Sequence, residues 1–295
     1  MSNNLIAVTG ATGEVGGRIA RRLAERGASQ RLVVRDPSRA PELKGAEVAQ
    51  ASNYEAREEM EPALRGAQTL FLASGEEARN RVDQHKAAVD AAKAAGVERI
   101  VYLSFYGARP DSAFTFGRHH FHTEEHIKAS GLSYAFSRDN IYLDFVPFFA
   151  AADGAIRGPG GDGSFAPVAR DDIADVVVEL LTNPDRDGHA YEVTGGESYT
   201  LAEAAARLGK AIGREITYVD ETMDEAWASR RPSGEPDWVI EGWITTYVAI
   251  ANGELAQPTS TVKDLTGHEP QRLEELLEQH PESYEHLLRN GESGG

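Results

Sequence analysis

The sequence predicts a doubly wound α/β fold, in which helices cover both faces of a parallel β-sheet, with a smaller α/β lobe at the C-terminus. Three observations support this prediction. Short apolar runs alternate with helical stretches over the first half of the chain, a glycine-rich turn joins the first run to the first helix, and the alternation stops after residue 138. Repeated β-α units imply parallel strands, because the chain crosses over through each helix before it returns to the sheet.

The first β-α unit carries the strongest functional signal. Leu5–Val8 is a short apolar run typical of a buried strand, and residues 18–27 have apolar positions at helical spacing. Between them lie Gly10, Gly13 and Gly16 at three-residue intervals. A glycine turn that leads from a strand into a helix presents backbone N–H groups to a pyrophosphate. We therefore predict a dinucleotide site, although the spacing differs from the usual G-x-G-x-x-G and a plain turn also needs glycine.

Five further runs predict the rest of the sheet, and a later segment is expected to return to it. The five runs are Gln30–Val34, Glu47–Gln50, Thr69–Ala73, Arg99–Leu103 and Ser133–Ser137, and the later segment is Ala190–Val193. Among the predicted helices, Asp83–Ala95 is followed by Gly96, a residue that commonly ends helices, and Asp171–Leu181 lies before the returning strand. Ligands bind such sheets beyond the C-terminal ends of the strands, so residues that follow each strand are site candidates.

The second half of the chain departs from this alternation. Ala152–Gly163 is rich in glycine and predicts a loop or a hairpin. Leu201–Ile212 and Leu273–Gln279 predict helices, and Glu215–Val219 predicts a short strand. Two later segments carry aromatic residues that we interpret as the core of a lobe over the nucleotide rather than as a platform for substrate. These residues are Trp227, Trp238, Trp243 and Tyr247.

These patterns predict two domains, each built from two separate segments of the chain. Residues 1–138 and 171–195 form the predicted nucleotide-binding domain, and residues 139–170 and 196–288 form the small substrate lobe. Residues 289–295 are expected to be a disordered tail.

Composition excludes several classes of function. With 30 basic and 47 acidic side chains, the 295-residue chain carries a net charge of −17, which disfavours nucleic acid and anionic membranes as partners. It has no cysteine, so disulfides, thiolate metal sites and a cysteine nucleophile are excluded. The absence of cysteine is also typical of a cytoplasmic protein. No apolar run reaches the length of about 18 residues that a transmembrane helix requires.

The end of the second strand bears on the choice between NADP and NAD. In NAD-binding proteins an acidic residue at this place holds the ribose hydroxyls, but here Arg35 occupies it. A guanidinium can grip the 2′-phosphate of NADP with a forked pair of hydrogen bonds, and Arg39 lies nearby as a second cation. In the alternative, Asp36 binds the ribose hydroxyls and the cofactor is NAD. Asp36 before Pro37 is, however, also a good helix cap. We favour NADP.

Five segments, in this order, resemble the NmrA-like group of the atypical short-chain dehydrogenase/reductases. They are GATGEVG, VVRDPSRA, HKAAVDAAKAAGVERIVYLS, HTEEHIKASGLSYAFSRDNIY and VARDDIADVVVELLTNP, and the resemblance covers residues 4–280. It implies a Rossmann domain with a small C-terminal lobe, and it implies NADP as the cofactor.

The resemblance also implies residues for each part of the cofactor. It assigns the pyrophosphate to Gly10, Thr12, Gly13 and Val15, the 2′-phosphate to Arg35, and the ribose and nicotinamide side to Ala73, Ser74, Ser104 and Phe105. Glu14 and Ser52 join the predicted cofactor-binding residues because they follow the first and third strands.

The chain departs from the better-known short-chain dehydrogenases in its catalytic residues. Those enzymes use a Tyr-x-x-x-Lys pair to donate a proton, and no such pair occurs here. His120 is a candidate donor in its place, since imidazole titrates near neutral pH, and Tyr142 after the sixth strand is a second candidate. Both also have a plainer interpretation, as walls of a pocket beside Phe105.

Histidines crowd the segment around His120. In a helix, His119, His122 and His126 would share one face, where a metal site is conceivable. We predict no metal, because carboxylate partners would have to be recruited and the fold needs none.

These features predict an enzyme, an NADPH-dependent reductase that transfers a hydride to a flat, conjugated small molecule such as a quinone. Such acceptors take up hydride readily, so the absence of the Tyr-x-x-x-Lys pair is tolerable. The alternative is a non-catalytic NADP-binding redox sensor of the NmrA type, which the missing pair supports equally well. The predicted partner is a small-molecule acceptor, with neither nucleic acid nor membrane, and a homodimer is a possible assembly.

Overall fold

Seven parallel strands form the central sheet of the protein. A computed structural model describes residues 4–288, so the predicted disordered tail, residues 289–295, lies outside the described residues. In the described part the strands are β1 (Ile6–Thr9), β2 (Gln30–Val34), β3 (Ala46–Gln50), β4 (Thr69–Leu72), β5 (Arg99–Phe105), β6 (Ser133–Asp139), β7 (Ala155–Gly158), β8 (Ser164–Phe165), β9 (His189–Val193), β10 (Tyr199–Thr200) and β11 (Thr217–Asp220).

Helices connect these strands and build most of the C-terminal lobe. Over residues 4–288 the α-helices are α1 (Glu14–Glu25), α2 (Arg57–Leu64), α3 (Arg81–Ala94), α4 (Thr115–Ser130), α5 (Val146–Phe149), α6 (Arg170–Thr182), α7 (Leu201–Ile212), α8 (Met223–Arg230), α9 (Asp237–Ala251), α10 (Thr261–Thr266), α11 (Leu273–Gln279) and α12 (Glu285–Leu288). None of the helices in this range is long and apolar enough to cross a membrane.

The strand order of the central sheet is β3-β2-β1-β4-β5-β6-β9, and every neighbouring pair is parallel. The winding reverses at β1, because the chain first moves outward to β2 and β3 and then returns to β4 on the other side of β1. The predicted doubly wound sheet is confirmed, including the return of β9 beside β6. Strand boundaries agree with the predicted runs to within two residues.

Three groups of buried apolar side chains hold the layers together. Helices α1 and α6 cover one face of the sheet, where Ile19 is fully buried, and α2, α3 and α4 cover the other face around Val89. The third group lies in the C-terminal lobe around Phe165. Phe114 and Phe116, which come from the connection between β5 and α4, belong to this third group. The lobe therefore packs directly on the segment that leads into α4.

Instead of a full β-hairpin, residues 152–163 begin with a tight turn closed by one antiparallel bridge, Ala150 with Ile156. This segment contains β7, which pairs in parallel with β11, for example Ile156 with Tyr218. A hairpin requires antiparallel neighbours joined by a short turn. Here the partner strand comes from about 60 residues further along the chain, so the local glycine pattern carried no information about it.

The predicted aromatic core of the lobe is only partly correct. Trp238 and Tyr247 pack on the lobe core, whereas Trp227 packs on a separate small cluster. Trp243 is 38% exposed. The four side chains therefore do not form one group, because Trp227 lies on α8 and packs on a separate cluster while Trp243 is largely outside the core.

Candidate active site

The C-terminal ends of β1 and β4 form the crevice where the winding of the sheet reverses. Gly10 follows β1 directly and has a φ of +68°, a conformation that favours glycine. Gly13 is the N-cap of α1, and no side chain caps this helix. The N–H groups of the first turn are consequently available to an anion, with the helix dipole pointing the same way. The crevice therefore fits the pyrophosphate of a dinucleotide.

The three glycines differ in how much space an added Cβ atom would have. A Cβ on Gly16 would lie 2.2 Å from the carbonyl oxygen of Gly10, so α1 packs against the turn as predicted. A Cβ on Gly10 would lie 2.8 Å from the Cβ of Ala73 on the neighbouring strand end. A Cβ on Gly13 would lie 3.3 Å from the Gly10 oxygen, which is tight but not prohibitive. Any strict need for glycine at Gly13 must therefore come from the ligand.

The end of β2 presents a cation to solvent. The Arg35 side chain is 69% exposed, and its Nη2 lies 3.1 Å from Oε1 of Glu76, which is also exposed. Asp36 accepts hydrogen bonds from the backbone N–H (3.0 Å) and hydroxyl (2.7 Å) of Ser38, so its predicted role as a helix cap is confirmed. Arg35 is thus held by a weak surface ion pair, whereas Asp36 is already engaged.

Two residues fix the floor of the crevice: Thr9, a candidate because it ends the first strand, and Tyr54, which the sequence analysis missed. Oγ1 of Thr9 accepts from the backbone N–H of Ala73 (2.9 Å) and donates to the carbonyl oxygen of Phe71 (2.9 Å). The Tyr54 hydroxyl donates to the carbonyl oxygen of Ala73 (2.8 Å) and lies 3.0 Å from Oγ1 of Thr9. Burial raises the pKa of Tyr54 to about 12. Tyr54 follows β3, so the rule that site residues follow strands could have found it.

The other predicted cofactor residues around the crevice are placed as follows. Thr12 and Glu14 are exposed, and the Glu14 carboxylate pairs with Arg18 at 2.6 Å. Val15 is buried in the first turn of α1. Ser74 is half-buried after β4, and Ser52 is exposed, with its backbone N–H bonded to Glu59 at 2.6 Å. Glu14 can therefore offer a ligand its backbone N–H but not a free carboxylate.

A neutral hydrogen-bonded group, here called the imidazole cluster, lies behind the crevice and consists of His85, Tyr102, His120 and Thr123. Nε2 of His85 accepts from the backbone N–H of Gly75 (2.9 Å), so the proton of this ring is on Nδ1. That N–H donates to Oγ1 of Thr123 (3.0 Å) and lies 3.3 Å from the Tyr102 oxygen. The Tyr102 oxygen lies 2.9 Å from Nδ1 of His120, and when Tyr102 donates this hydrogen bond the proton of His120 is on Nε2.

His120 does not titrate near neutral pH, so the expectation that its imidazole ionises there is wrong. Burial and the nearby cation of Arg81 lower the pKa of His120 well below its usual value. The same two causes lower the pKa of His85 to about 3. The Nε2 atom of His120 has no hydrogen-bond partner among the described residues, and it carries the proton of the neutral ring when Tyr102 donates to Nδ1. Its ring lies beside Phe105, with 6.1 Å between the ring centroids.

A second buried group, here called the ionic cluster, consists of Ser104, Glu124, Arg138 and Glu192. Glu124 is fully buried and accepts from Nε (2.8 Å) and Nη2 (2.6 Å) of Arg138. Nη1 of Arg138 also reaches Glu192 at 2.9 Å. These hydrogen bonds raise the pKa of the Arg138 guanidinium. The Ser104 hydroxyl donates to Glu124 (2.6 Å), so it is directed into the cluster rather than toward the crevice.

The ionic cluster and the imidazole cluster share helix α4. His120 and Glu124 stand four residues apart on it, the spacing of the missing Tyr-x-x-x-Lys pair, and both are buried. This stretch of α4 therefore carries a neutral imidazole and a carboxylate that is already paired.

Tyr142 follows β6 and packs against an aromatic ring and a guanidinium. Its ring stacks on Phe145 (5.5 Å between centroids), and the guanidinium of Arg170 lies 5.3 Å from its centroid. Burial raises the pKa of Tyr142 above its usual value, which makes it a poor proton donor. Its predicted place in the wall beside Phe105 and His120 stays a prediction.

The face shared by His119, His122 and His126 does not gather metal ligands. Nε2 of His126 pairs with Asp90 at 2.8 Å, and His119 packs against Phe116 with 5.7 Å between ring centroids. His122 is exposed. Within residues 4–288, no three His, Asp or Glu side chains converge on a common metal position.

Comparisons with known proteins agree with this architecture. A family model described as the NmrA-like family matches residues 2–228. Quinone oxidoreductase 2 of Escherichia coli (strain K12) is 31% identical over 282 residues, which cover 92% of this chain and 97% of that protein. An NAD(P)H azoreductase of Xenophilus azovorans is 30% identical, over 95% of this chain and 99% of that protein. The crystal structure of the NADPH-dependent quinone oxidoreductase from Escherichia coli, complexed with NADPH, superposes with a TM-score of 0.85 at 30% identity, over 93% of this chain and 99% of that one.

Proposed function

This chain belongs to the NmrA-like family, and on that premise we propose that it is an NADPH-dependent reductase that passes a hydride to a conjugated small molecule such as a quinone. The observation that carries the proposal is the juxtaposition of an uncapped helix N-terminus after β1 with an apolar wall built on β5 and α4. The first fits a dinucleotide, and the second fits a flat acceptor.

The dinucleotide is held by the larger, sheet-containing part of the chain. The backbone N–H groups of the glycine turn and of the first turn of α1 would bind the pyrophosphate. Arg35 would bind the 2′-phosphate through a charge-assisted pair. Glu76 must then release Arg35, which costs little because both side chains are exposed.

The acceptor lies against Phe105 and His120, facing the lobe core to which Phe114 belongs. Phe105 and Phe114 are 4.7 Å apart between ring centroids, so together they offer an apolar surface. The Nε2–H of His120 would donate a hydrogen bond to the acceptor oxygen on which negative charge develops. Tyr102 keeps that proton on Nε2 because its hydroxyl occupies Nδ1.

When bound, NADPH supplies the hydride. A quinone that takes up one hydride needs one further proton to become a hydroquinone. His120 is neutral at pH 7 and does not supply this proton as an imidazolium, so water is the proton source. The residues of the chain therefore act by positioning the acceptor, excluding water from one of its faces and donating one hydrogen bond.

Steady-state NADPH oxidation against a panel of quinones and azo dyes tests the proposal. We expect turnover that depends on both the protein and the acceptor, with hydroquinone as the product of quinone reduction. NADPH that binds stoichiometrically but is not oxidised by any acceptor would contradict the proposal and favour the non-catalytic sensor.

Arg35→Ala tests the cofactor within the same assay. Loss of a charge-assisted pair worth about 1.5–3 kcal/mol should weaken NADPH binding by about tenfold or more and leave NADH binding nearly unchanged. Arg157→Ala is the matched control, since Arg157 pairs with Asp153 in the C-terminal lobe, away from the crevice. Equal affinity of the unaltered protein for NADPH and NADH would overturn the assignment of Arg35.

A further inference from the structure

An ion pair joins the two strand ends that flank the glycine turn. The strand order at this place is β2-β1-β4, and Arg35 follows β2 whereas Glu76 follows β4. The two outer strands are separated by two strand spacings, about 10 Å. Their side chains nevertheless meet, with 3.1 Å between Nη2 of Arg35 and Oε1 of Glu76. The pair therefore links the two strand ends between which the crevice opens.

Glu76 lies on the loop that connects β4 to α3, and this loop is tied to the rest of the domain on both sides of it. Before Glu76, the backbone N–H of Gly75 donates to Nε2 of His85 (2.9 Å). After it, Nδ2 of Asn80 donates to Oε2 of Glu55 (3.1 Å). The backbone is thus held near the end of β4, whereas the side chain of Glu76 is 83% exposed and can turn into solvent.

The carboxylate of Glu76 occupies the donors that the 2′-phosphate of NADPH would use. Within residues 4–288, Glu76 is the only acidic side chain paired with Arg35. The neighbouring carboxylate, Asp36, is engaged by Ser38 instead. A carboxylate and a phosphate both offer anionic oxygens to the N–H groups of a guanidinium, so one of them replaces the other.

We propose that Glu76 competes with the 2′-phosphate for Arg35 and thereby narrows the preference of this protein for NADPH over NADH. This inference rests on the proposed function, which assigns the 2′-phosphate to Arg35. NADPH has to displace the carboxylate and then binds beside its negative charge. NADH carries a hydroxyl at this position and leaves the ion pair intact. Glu76 therefore weakens the binding of only one of the two cofactors.

The expected size of the effect follows from the exposure of both side chains. An exposed ion pair is weak, and water also weakens the repulsion between a carboxylate and a phosphate. Together they should weaken NADPH binding by about threefold to tenfold. Salt screens both contributions, so the effect should shrink as the ionic strength rises.

Calorimetric titration of NADPH and of NADH into the protein tests the proposal. Glu76→Gln keeps the size of the side chain and removes its charge. It should lower the Kd of NADPH by about threefold to tenfold and leave the Kd of NADH nearly unchanged. The gain should diminish between ionic strengths of about 0.01 M and about 1 M. Unchanged or weaker NADPH binding in Glu76→Gln would overturn the proposal, and weaker binding would mean that Glu76 holds Arg35 in place for the phosphate.

Glu77→Gln is the matched control. Glu77 is the next residue on the same loop, and it forms no ion pair within residues 4–288. Its substitution makes the same change in net charge and should leave the ratio of the two affinities unchanged. An equal gain for NADPH in Glu77→Gln would show that net charge, and not competition for Arg35, is responsible.

The Arg35→Ala background tests the competition directly. Without the guanidinium there is nothing to compete for, so Glu76→Gln should improve NADPH binding by a smaller factor than in the unaltered chain. A gain of the same size would mean that Glu76 acts by repulsion alone, and the competition would be disproved.

The same titrations separate this inference from the proposed function. If Arg35→Ala does not weaken NADPH binding, the assignment of the 2′-phosphate to Arg35 fails. If Arg35→Ala weakens it while Glu76→Gln has no effect, only the role of Glu76 fails. Neither titration depends on turnover, so absence of quinone reduction would count against the reductase and not against the role of Glu76.

Discussion

The two buried polar clusters at the C-terminal edge of β5 share helix α4 but are satisfied in opposite ways. In the ionic cluster, Glu124 and Arg138 are paired with each other, and Ser104 and Glu192 take up the remaining hydrogen-bonding capacity. In the imidazole cluster the rings are neutral, and Arg81, whose charge lowers the pKa of both histidines, forms no ion pair within residues 4–288. The ionic cluster is thus satisfied by its own members, whereas in the imidazole cluster the Nε2 atom of His120 has no partner among the described residues.

A cluster that stabilises the fold and a cluster that is suited to ligand binding therefore lie within a few residues of each other on α4. A buried ion pair that is complete offers a ligand nothing, and its removal is felt as lost stability. A neutral cluster that keeps an unused donor costs the fold some stability and offers a ligand a directed contact.

Removal of Glu124 should have the largest effect on stability. Glu124→Ala leaves Arg138 buried with only the partly exposed Glu192, and loss of one partner of a buried pair costs about 3–5 kcal/mol. The free energy of unfolding from urea titration measures this loss. Glu125→Ala is the matched control, since Glu125 is its exposed neighbour and pairs only with Lys128. A loss no greater than that of the control would mean that the ionic cluster is not structural.

The two clusters also show where sequence reasoning works. The β-α units, the glycine turn and the helix cap at Asp36 depend on neighbouring residues, so the sequence predicted them correctly. The imidazole cluster combines His85 of α3, Tyr102 of β5 and His120 of α4. His85 and Tyr102 lie within ordinary helix and strand patterns, and their meeting is decided by tertiary packing.

Three other features also depend on tertiary packing and could not be predicted from the sequence. Arg81 resembles any charged residue at the start of a helix in the sequence, because its burial and the unpartnered Nε atom are visible only in three dimensions. The pKa of His120 could not be predicted either, since it depends on burial and on Arg81. The pairing of β7 with β11 likewise joins segments that are distant in sequence.

The imidazole cluster should make the protein sensitive to acid. Burial and Arg81 depress the pKa of His85 to about 3, so the unfolded chain binds a proton there below about pH 6.5 while the folded chain does not. Stability due to His85 is therefore fully present above pH 6.5 and is lost as the pH falls toward 3, at up to about 1.4 kcal/mol per pH unit.

His85→Gln should flatten this dependence. A glutamine oxygen can still accept from the N–H of Gly75, but the side chain does not titrate. Urea midpoints measured from pH 7 to pH 4.5 provide the comparison, and the exposed His122→Gln serves as the control. An identical slope in His85→Gln and the unaltered protein would show that His85 is not held neutral.

The smallest expected effect is that of His120 on turnover. Because His120 is neutral at pH 7, His120→Ala removes a hydrogen bond to the acceptor and not an acid, so kcat with naphthoquinone should fall severalfold rather than by the factor of about 100 or more typical of a lost general acid. The kcat of the unaltered protein should show no inflection between pH 5.5 and pH 8 that disappears in His120→Ala. Tyr102→Phe should have a similar effect, because Nδ1 of His120 loses the donor that keeps the proton on Nε2. The contrary result would be a hundredfold loss of kcat in His120→Ala, together with a pH dependence of kcat that this variant abolishes. It would mean that His120 is protonated during turnover, so that the imidazole cluster is not neutral in the working enzyme.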